Sequence, residues 1–126
     1  MSIESLQTLS PKHGTKIVPA PDDYDEVSHS WTEAEYRADL GGSASLAGFW
    51  EGTPGWVRID EWPYHEVCVI LSGRVAIEDA VGNRREFGEG EAFAVPRGFR
   101  GVWHTLAPTR KIFVGIDPLA AEGDLT

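Results

Sequence analysis

Two stretches decide the fold: Glu66-Val-Cys-Val-Ile-Leu-Ser-Gly73-Arg-Val75 and Gly90-Glu-Ala-Phe-Ala-Val-Pro96-Arg-Gly98. In the first, a glutamate opens a β-prone apolar run, and six residues separate it from a glycine placed where a tight turn wants positive φ. In the second, a glycine precedes five residues and then Pro-x-Gly, so that the proline ends a short strand. An acidic side chain inside such a run is unusual. Burial without a partner is costly, so Glu66 is either paired or functional.

Outward from these stretches the punctuation continues. From Ala44 on, short β-prone runs alternate with Gly, Pro and Asn breaks. Strands are expected over residues 45–50, 56–60, 66–71, 75–79, 84–87, 92–95, 101–106 and 111–116. Eight short strands without a long helix point to an all-β sandwich or barrel, which also removes exposed edges. Gly82-Asn83 and Gly88-Glu89-Gly90 read as turns, because no helix follows to make a phosphate site. Residues 1–30, with Pro11, Pro19, Pro21 and the acidic run Asp22-Asp23-Tyr24-Asp25-Glu26, read as an irregular N-terminal arm. Residues 31–117 form the single domain and 118–126 a C-terminal tail. For residues 31–40 a short helix capped near Ser30 or Thr32 competes with a strand.

Composition fits one domain of 126 residues, 41% hydrophobic and 10% aromatic, with a real core. The net charge of −9 and the scattered basic residues argue against nucleic acid, which needs basic side chains grouped on one face. No run is long and apolar enough to span a bilayer, and no membrane partner is expected. The first residues lack a signal-peptide pattern and Cys68 is the sole cysteine, so a reducing, cytoplasmic location is expected.

The two quoted stretches resemble the two motifs of the cupin family, G-x5-H-x-H-x3-4-E-x6-G and G-x5-P-x-G-x2-H-x3-N. Gly48-Phe-Trp50-Glu-Gly-Thr-Pro-Gly55, Phe99-Arg-Gly101-Val-Trp103 and Arg110-Lys111 are further similar to small cupins of the ureidoglycine aminohydrolase and ethanolamine-utilisation kind. The resemblance covers about residues 44–117. It implies a double-stranded β-helix, or jelly-roll, barrel with its site in the lumen, a small nitrogen-containing ligand, and a homodimer built by sheet packing or arm exchange.

The resemblance also implies a metal, and there the chain departs from the pattern. The first two metal-histidine positions fall on Asp60 and Trp62, or with a longer gap on Ile59 and Glu61, and the third falls on Gly101. Only Glu66 remains, so no metal or other cofactor is expected. The alternative is a divalent ion held by Asp60 or Glu61, Glu66 and one histidine. Strand alternation argues against that histidine being His65 or His104, since each neighbours a residue of lumen parity.

Glu66 is the leading candidate for a general acid or base, its pKa raised by an apolar lumen, with a structural bond to Arg58 or Arg100 as the bland alternative. Asp60 joins Glu66 as a catalytic candidate, Asp60 or Arg58 is expected to orient the ligand, with Arg58 in its pocket, and Trp50, Trp62 and Trp103 are expected to line that pocket or plug the barrel. Cys68 shares the parity of Glu66 and is expected in the pocket but inert, as burial raises a thiol pKa. Trp31 and Trp56 are assigned to packing, His104 to the surface, and Arg110-Lys111 to a solvated strand end. Three functions remain open: an enzyme acting on a small polar nitrogen compound through Glu66, a non-catalytic ligand-binding or partner-subunit cupin, and a metal enzyme with non-standard ligands.

Overall fold

Breaks at Gly, Pro and Asn cut the chain into strands that pair in a nested order. The computed structural model describes residues 1–41 and 44–116, and the expected tail at 118–126 lies outside them. The strands are β1 (Thr15–Ile17), β2 (Glu26–Val27), β3 (Glu33–Arg37), β4 (Leu46–Gly52), β5 (Gly55–Ile59), β6 (His65–Ser72), β7 (Arg74–Asp79), β8 (Arg84–Gly88), β9 (Ala92–Val95), β10 (Gly101–Thr105) and β11 (Thr109–Ile116). Each strand expected from the sequence appears, shifted at its ends by a residue or two.

β7 and β8 form a hairpin, and the chain then retraces its path, so that β9 pairs with β6, β10 with β5 and β11 with β4, all antiparallel. Apart from the pairs β3–β4 and β7–β8, successive strands cross between two facing sheets, ordered β1-β3-β4-β11-β6-β9 and β2-β5-β10-β7-β8. This is the jelly roll, and among the described residues no ladder joins the two sheets, so they form an open sandwich rather than a closed barrel. Gly73 makes the β6–β7 turn at φ +91°, and a Cβ there would stand 2.4 Å from the Pro108 carbonyl oxygen. Both demands select glycine.

Two expectations are corrected here. The stretch at 31–40 holds the strand β3 and no helix: Glu33, Glu35 and Arg37 alternate with Ala34 and Tyr36 at the two-residue period of a sheet, and β4 is available to pair with it. The arm is irregular only in part, since β1 adds to β3 and β2 adds to β5 of the same chain. The core between the sheets is aromatic and aliphatic: Trp50, Val57, Trp62, Cys68, Ile70, Val75, Phe87, Val95, Trp103 and Phe113. Among the described residues no helix is long and apolar enough to cross a membrane.

Candidate functional site

Strand alternation delivers the site. On β6, Glu66, Cys68 and Ile70 face inward while His65 faces solvent, as parity requires. On β11 the inward residues are Thr109, Lys111, Phe113 and Gly115. β11 lies between β4 and β6, with Lys111 opposite both Trp50 and Ile70, Phe113 opposite Cys68, and Gly115 opposite Glu66. The β11–β6 ladder shifts register between Arg110 and Lys111, leaving Leu71 without an opposite residue. From the other sheet, β10 points Trp103 at this group. Trp62 sits on the β5–β6 connection, which the Trp62 N–H zips to the Phe99 carbonyl at 2.9 Å and the Gly98 N–H to the Trp62 carbonyl at 2.8 Å.

The result is a buried ion pair under indole rings. Lys111 Nζ donates to Glu66 Oε2 at 2.7 Å and to Cys68 Sγ at 3.4 Å. The other carboxylate oxygen, Oε1, accepts from Trp62 Nε1 at 3.0 Å, and the Cys68 thiol donates to Oε2 at 3.3 Å. The ammonium lies 4.0 Å from the Trp103 ring centroid and 4.9 Å from that of Trp50. Lys111 is 5% exposed and Glu66 8%.

Lys111 is therefore no solvated strand end, and the partner of Glu66 is neither Arg58 nor Arg100. The missed signal was parity: Lys111 shares the face of Phe113 and Gly115, and an inward carboxylate needs a cation. The expected rise in the Glu66 pKa is likewise reversed. Burial pushes it up, but the Lys111 charge and the donors Lys111, Trp62 and Cys68 outweigh burial and hold it below the ordinary range. Burial disfavours the ammonium too, and the Glu66 carboxylate beside it keeps it protonated. The Cys68 thiol is pushed up by burial to about 12 and stays a thiol.

Above the pair opens a cavity of about 90 Å³. Glu66, Lys111, Trp50, Trp62 and Trp103 line it, joined by Glu33 and Glu35 of β3, Val57 and Ile59 of β5, Tyr64, Trp31, and Tyr24 of the arm. The Tyr24 hydroxyl and Trp50 Nε1 both donate to the Glu33 carboxylate, the latter at 2.7 Å. Burial nevertheless raises the Glu33 pKa, against these donors. Glu35 accepts from Arg37 Nε at 2.7 Å. Tyr24 and Trp31 meet edge to face, and the indole N–H of Trp31 reaches Thr105 Oγ1 at 3.4 Å. Trp31, assigned to packing, thus packs and lines the cavity as well. Glu33 escaped the sequence reading because β3 was not recognised as a strand.

Asp60 and Arg58 do not line the cavity. Their neighbours Val57 and Ile59 do, so alternation turns Arg58 outward, where it bonds Glu26 at 2.7 Å and Asp60 at 3.1 Å. The backbone N–H of Asp60 is capped by the Asp25 carboxylate at 2.7 Å. The two residues clasp the arm that carries Tyr24 across the opening. Cys68 lies below the cavity, in the ion-pair cluster. His65 accepts from the Arg97 N–H, and His104 bonds Glu78 at 2.8 Å on the outer face of its sheet.

The positions that the cupin pattern gives to metal histidines do not fit a metal. Asp60 points away, toward Arg58. The Trp62 indole is a donor only and spends its N–H on Glu66. At Gly101 a Cβ would stand 2.2 Å from the Glu78 carbonyl oxygen and 2.5 Å from the Phe99 ring, leaving no space for an imidazole. Protein-bound transition metals need about three or four convergent ligands, and among the described residues no three His, Cys, Asp or Glu side chains converge so.

A family model described as the EutQ-like cupin domain matches residues 41–113. Among solved structures, a putative ethanolamine utilization protein Q from Salmonella typhimurium LT2 superposes with a TM-score of 0.59 at 19% identity, over 67% of this chain and 68% of that one. The EutQ protein of Clostridium difficile gives 0.55 at 20% identity, over 66% and 68%. A protein of unknown function from Pseudomonas syringae gives 0.59 at 21% identity, covering 89% of this chain and 45% of that one. At these identities the likeness shows the fold. No curated protein matches the chain.

Proposed function

Because this chain belongs to the EutQ-like cupin domain family, we propose that its cavity binds a small nitrogen-containing metabolite by its ammonium group. The observation that carries this reading is the charge balance of the cavity. Among the described residues its only lining cation, Lys111, is neutralised by Glu66, which leaves the partly buried Glu33 and the buried, Arg37-paired Glu35 beside the rings of Tyr24, Trp31 and Trp50. Carboxylates with aromatic faces recognise ammonium groups by charge and by the ring quadrupole. The named relatives from Salmonella and Clostridium are ethanolamine-utilisation proteins, and the sequence resembles ureidoglycine aminohydrolases. Both names point to small nitrogen compounds.

If the ligand is turned over, Glu33 is the better proton-transfer group, since its proton affinity is raised and it borders the cavity. Glu66, engaged by its donors on both oxygens, then anchors the floor. That same saturation favours a second reading, a binding protein that performs no chemistry. The test is a titration of the five tryptophans' fluorescence with ethanolamine and methylamine, and with acetate as the anionic counterpart. The amines should give saturable changes, lost in Glu33→Gln and weakening as pH falls from above the ordinary carboxylate range. Saturation by acetate alone, or unchanged amine binding in Glu33→Gln, would overturn the reading.

We also propose a homodimer. The outer face of the six-stranded sheet presents Val67, Val69 and Leu71 of β6 beside Ile112, Val114 and Ile116 of β11 and Ala92 and Ala94 of β9. Val69, Leu71 and Ile116 are 36%, 43% and 41% exposed. A second copy of the same face is its natural cover, because two apolar sheets pack face to face. The single, buried, free thiol fits a reducing cytoplasm.

A further inference from the structure

The floor of the cavity holds a cation of the chain's own, and its surroundings are those of a cation-binding site. Around Lys111 Nζ stand a carboxylate oxygen at 2.7 Å, a thiol sulfur at 3.4 Å, and the indole rings of Trp103 and Trp50 with centroids at 4.0 and 4.9 Å. Glu66 is fixed from behind by Trp62, and Gly52 leaves space for the Trp50 ring, since a Cβ there would stand 2.3 Å from its edge. One full charge, one soft acceptor and two ring faces suit a weakly hydrated monocation. They do not suit a divalent ion, which demands several N or O ligands.

We propose that Glu66, Cys68, Trp50 and Trp103 form a binding site for a primary alkylammonium group, permanently filled by Lys111, so that the fixed positive charge at the centre of this cupin is supplied by the chain. The site shares the Trp50 ring with the place proposed for the ligand's ammonium beside Glu33 but has its own carboxylate, Glu66, and the inference stands whatever the ligand. It explains why the inward glutamate of the cupin pattern persists where Asp60, Trp62 and Gly101 replace the metal histidines. The glutamate has a partner, and the partner comes from β11.

Lys111→Ala removes the fragment that n-propylammonium restores, the last three methylenes and the nitrogen. The melting temperature of Lys111→Ala is measured against n-propylammonium chloride, with sodium chloride and n-propanol as controls. All three proteins carry Glu33→Gln, which removes the ammonium site proposed for the ligand, and the expected result is a saturable rise given by the amine alone in the Lys111→Ala protein, absent where Lys111 or the Lys111→Met side chain fills the space. At ten times its dissociation constant the amine shifts the unfolding equilibrium about 11-fold. If Lys111→Ala does not fold alone, it is refolded from urea with and without the amine, and recovery only with the amine supports the site. No amine-specific rise, or no recovery under either condition, overturns it. So does one equivalent of Mn, Fe, Ni or Zn retained by the wild type through gel filtration and lost in Glu66→Gln.

Discussion

Replacing Lys111 by methionine tests the ion pair most directly, because it removes the charge at nearly constant volume and leaves Glu66 buried. Two of the three donors to that carboxylate remain, Trp62 at 3.0 Å and Cys68 at 3.3 Å, so the damage is electrostatic. Removing one partner of a buried pair costs about 3–5 kcal/mol. For a domain of this size that lowers the melting temperature by about 10–20 °C at pH 7. The pH dependence gives the sharper sign. In the wild type the Glu66 pKa is held below its ordinary 4.5, so its stabilising contribution is present above that value and is lost as pH falls through the folded-state pKa. In Lys111→Met burial acts without the counter-charge. The folded carboxylate then takes up a proton more readily than the unfolded one, and the variant gains relative stability as pH falls. Melting curves of both proteins between pH 7 and pH 4.5 should therefore converge. A constant gap, or a variant melting within about 2 °C of the wild type at pH 7, would show that Glu66 does not depend on Lys111.

Two further outcomes are expected. Leu71→Glu places a charge on the apolar outer face; light scattering at micromolar concentration should find a dimer for the wild type and a monomer for the variant, and an unchanged mass would dismiss that face as the contact. Gly101→Ala should lower stability by about 1–3 kcal/mol in urea titrations, because its Cβ meets the Glu78 carbonyl oxygen at 2.2 Å, and a neutral effect would reopen that position to a larger side chain.

Much of this architecture was legible because turns and strand periods are local properties. The glycines and prolines that break the strands announce themselves one by one, and the placement of Glu66 and Cys68 inside and His65 outside follows from alternation alone. The partners were less legible. Lys111 and Glu66 are 45 residues apart, and what joins them is that β11 enters between β4 and β6. Residue type misled as well, since lysine is by prior an exposed residue and only its parity with Phe113 argued otherwise. Asp60 and Arg58 were misplaced for the converse reason. Their polarity and nearness to Glu66 in sequence suggested a site, whereas the cavity takes Val57 and Ile59 from that strand. Glu33 was invisible while β3 was open to a helical reading, because helical spacing does not put Glu33 and Glu35 on one face.

The same geometry accounts for a charged pair in the middle of a small β sandwich, where a purely apolar core costs less to build. β11 is flanked on both sides, and an apolar strand such as Ile112-Phe-Val-Gly-Ile116 carries little information about register, since Ile112 and Val114 would be as content inward as Phe113. A slip of one residue flips every side chain to the other face. Here such a slip would put Lys111 on the apolar outer face and leave the Glu66 carboxylate buried without a cation. Thus the pair penalises the wrong register by the cost of an unpaired buried charge. It does so next to the irregularity between Arg110 and Lys111, where the ladder itself is least able to define the pairing. On this argument the cavity's floor and the strand's register are one device, and Lys111 is retained by both.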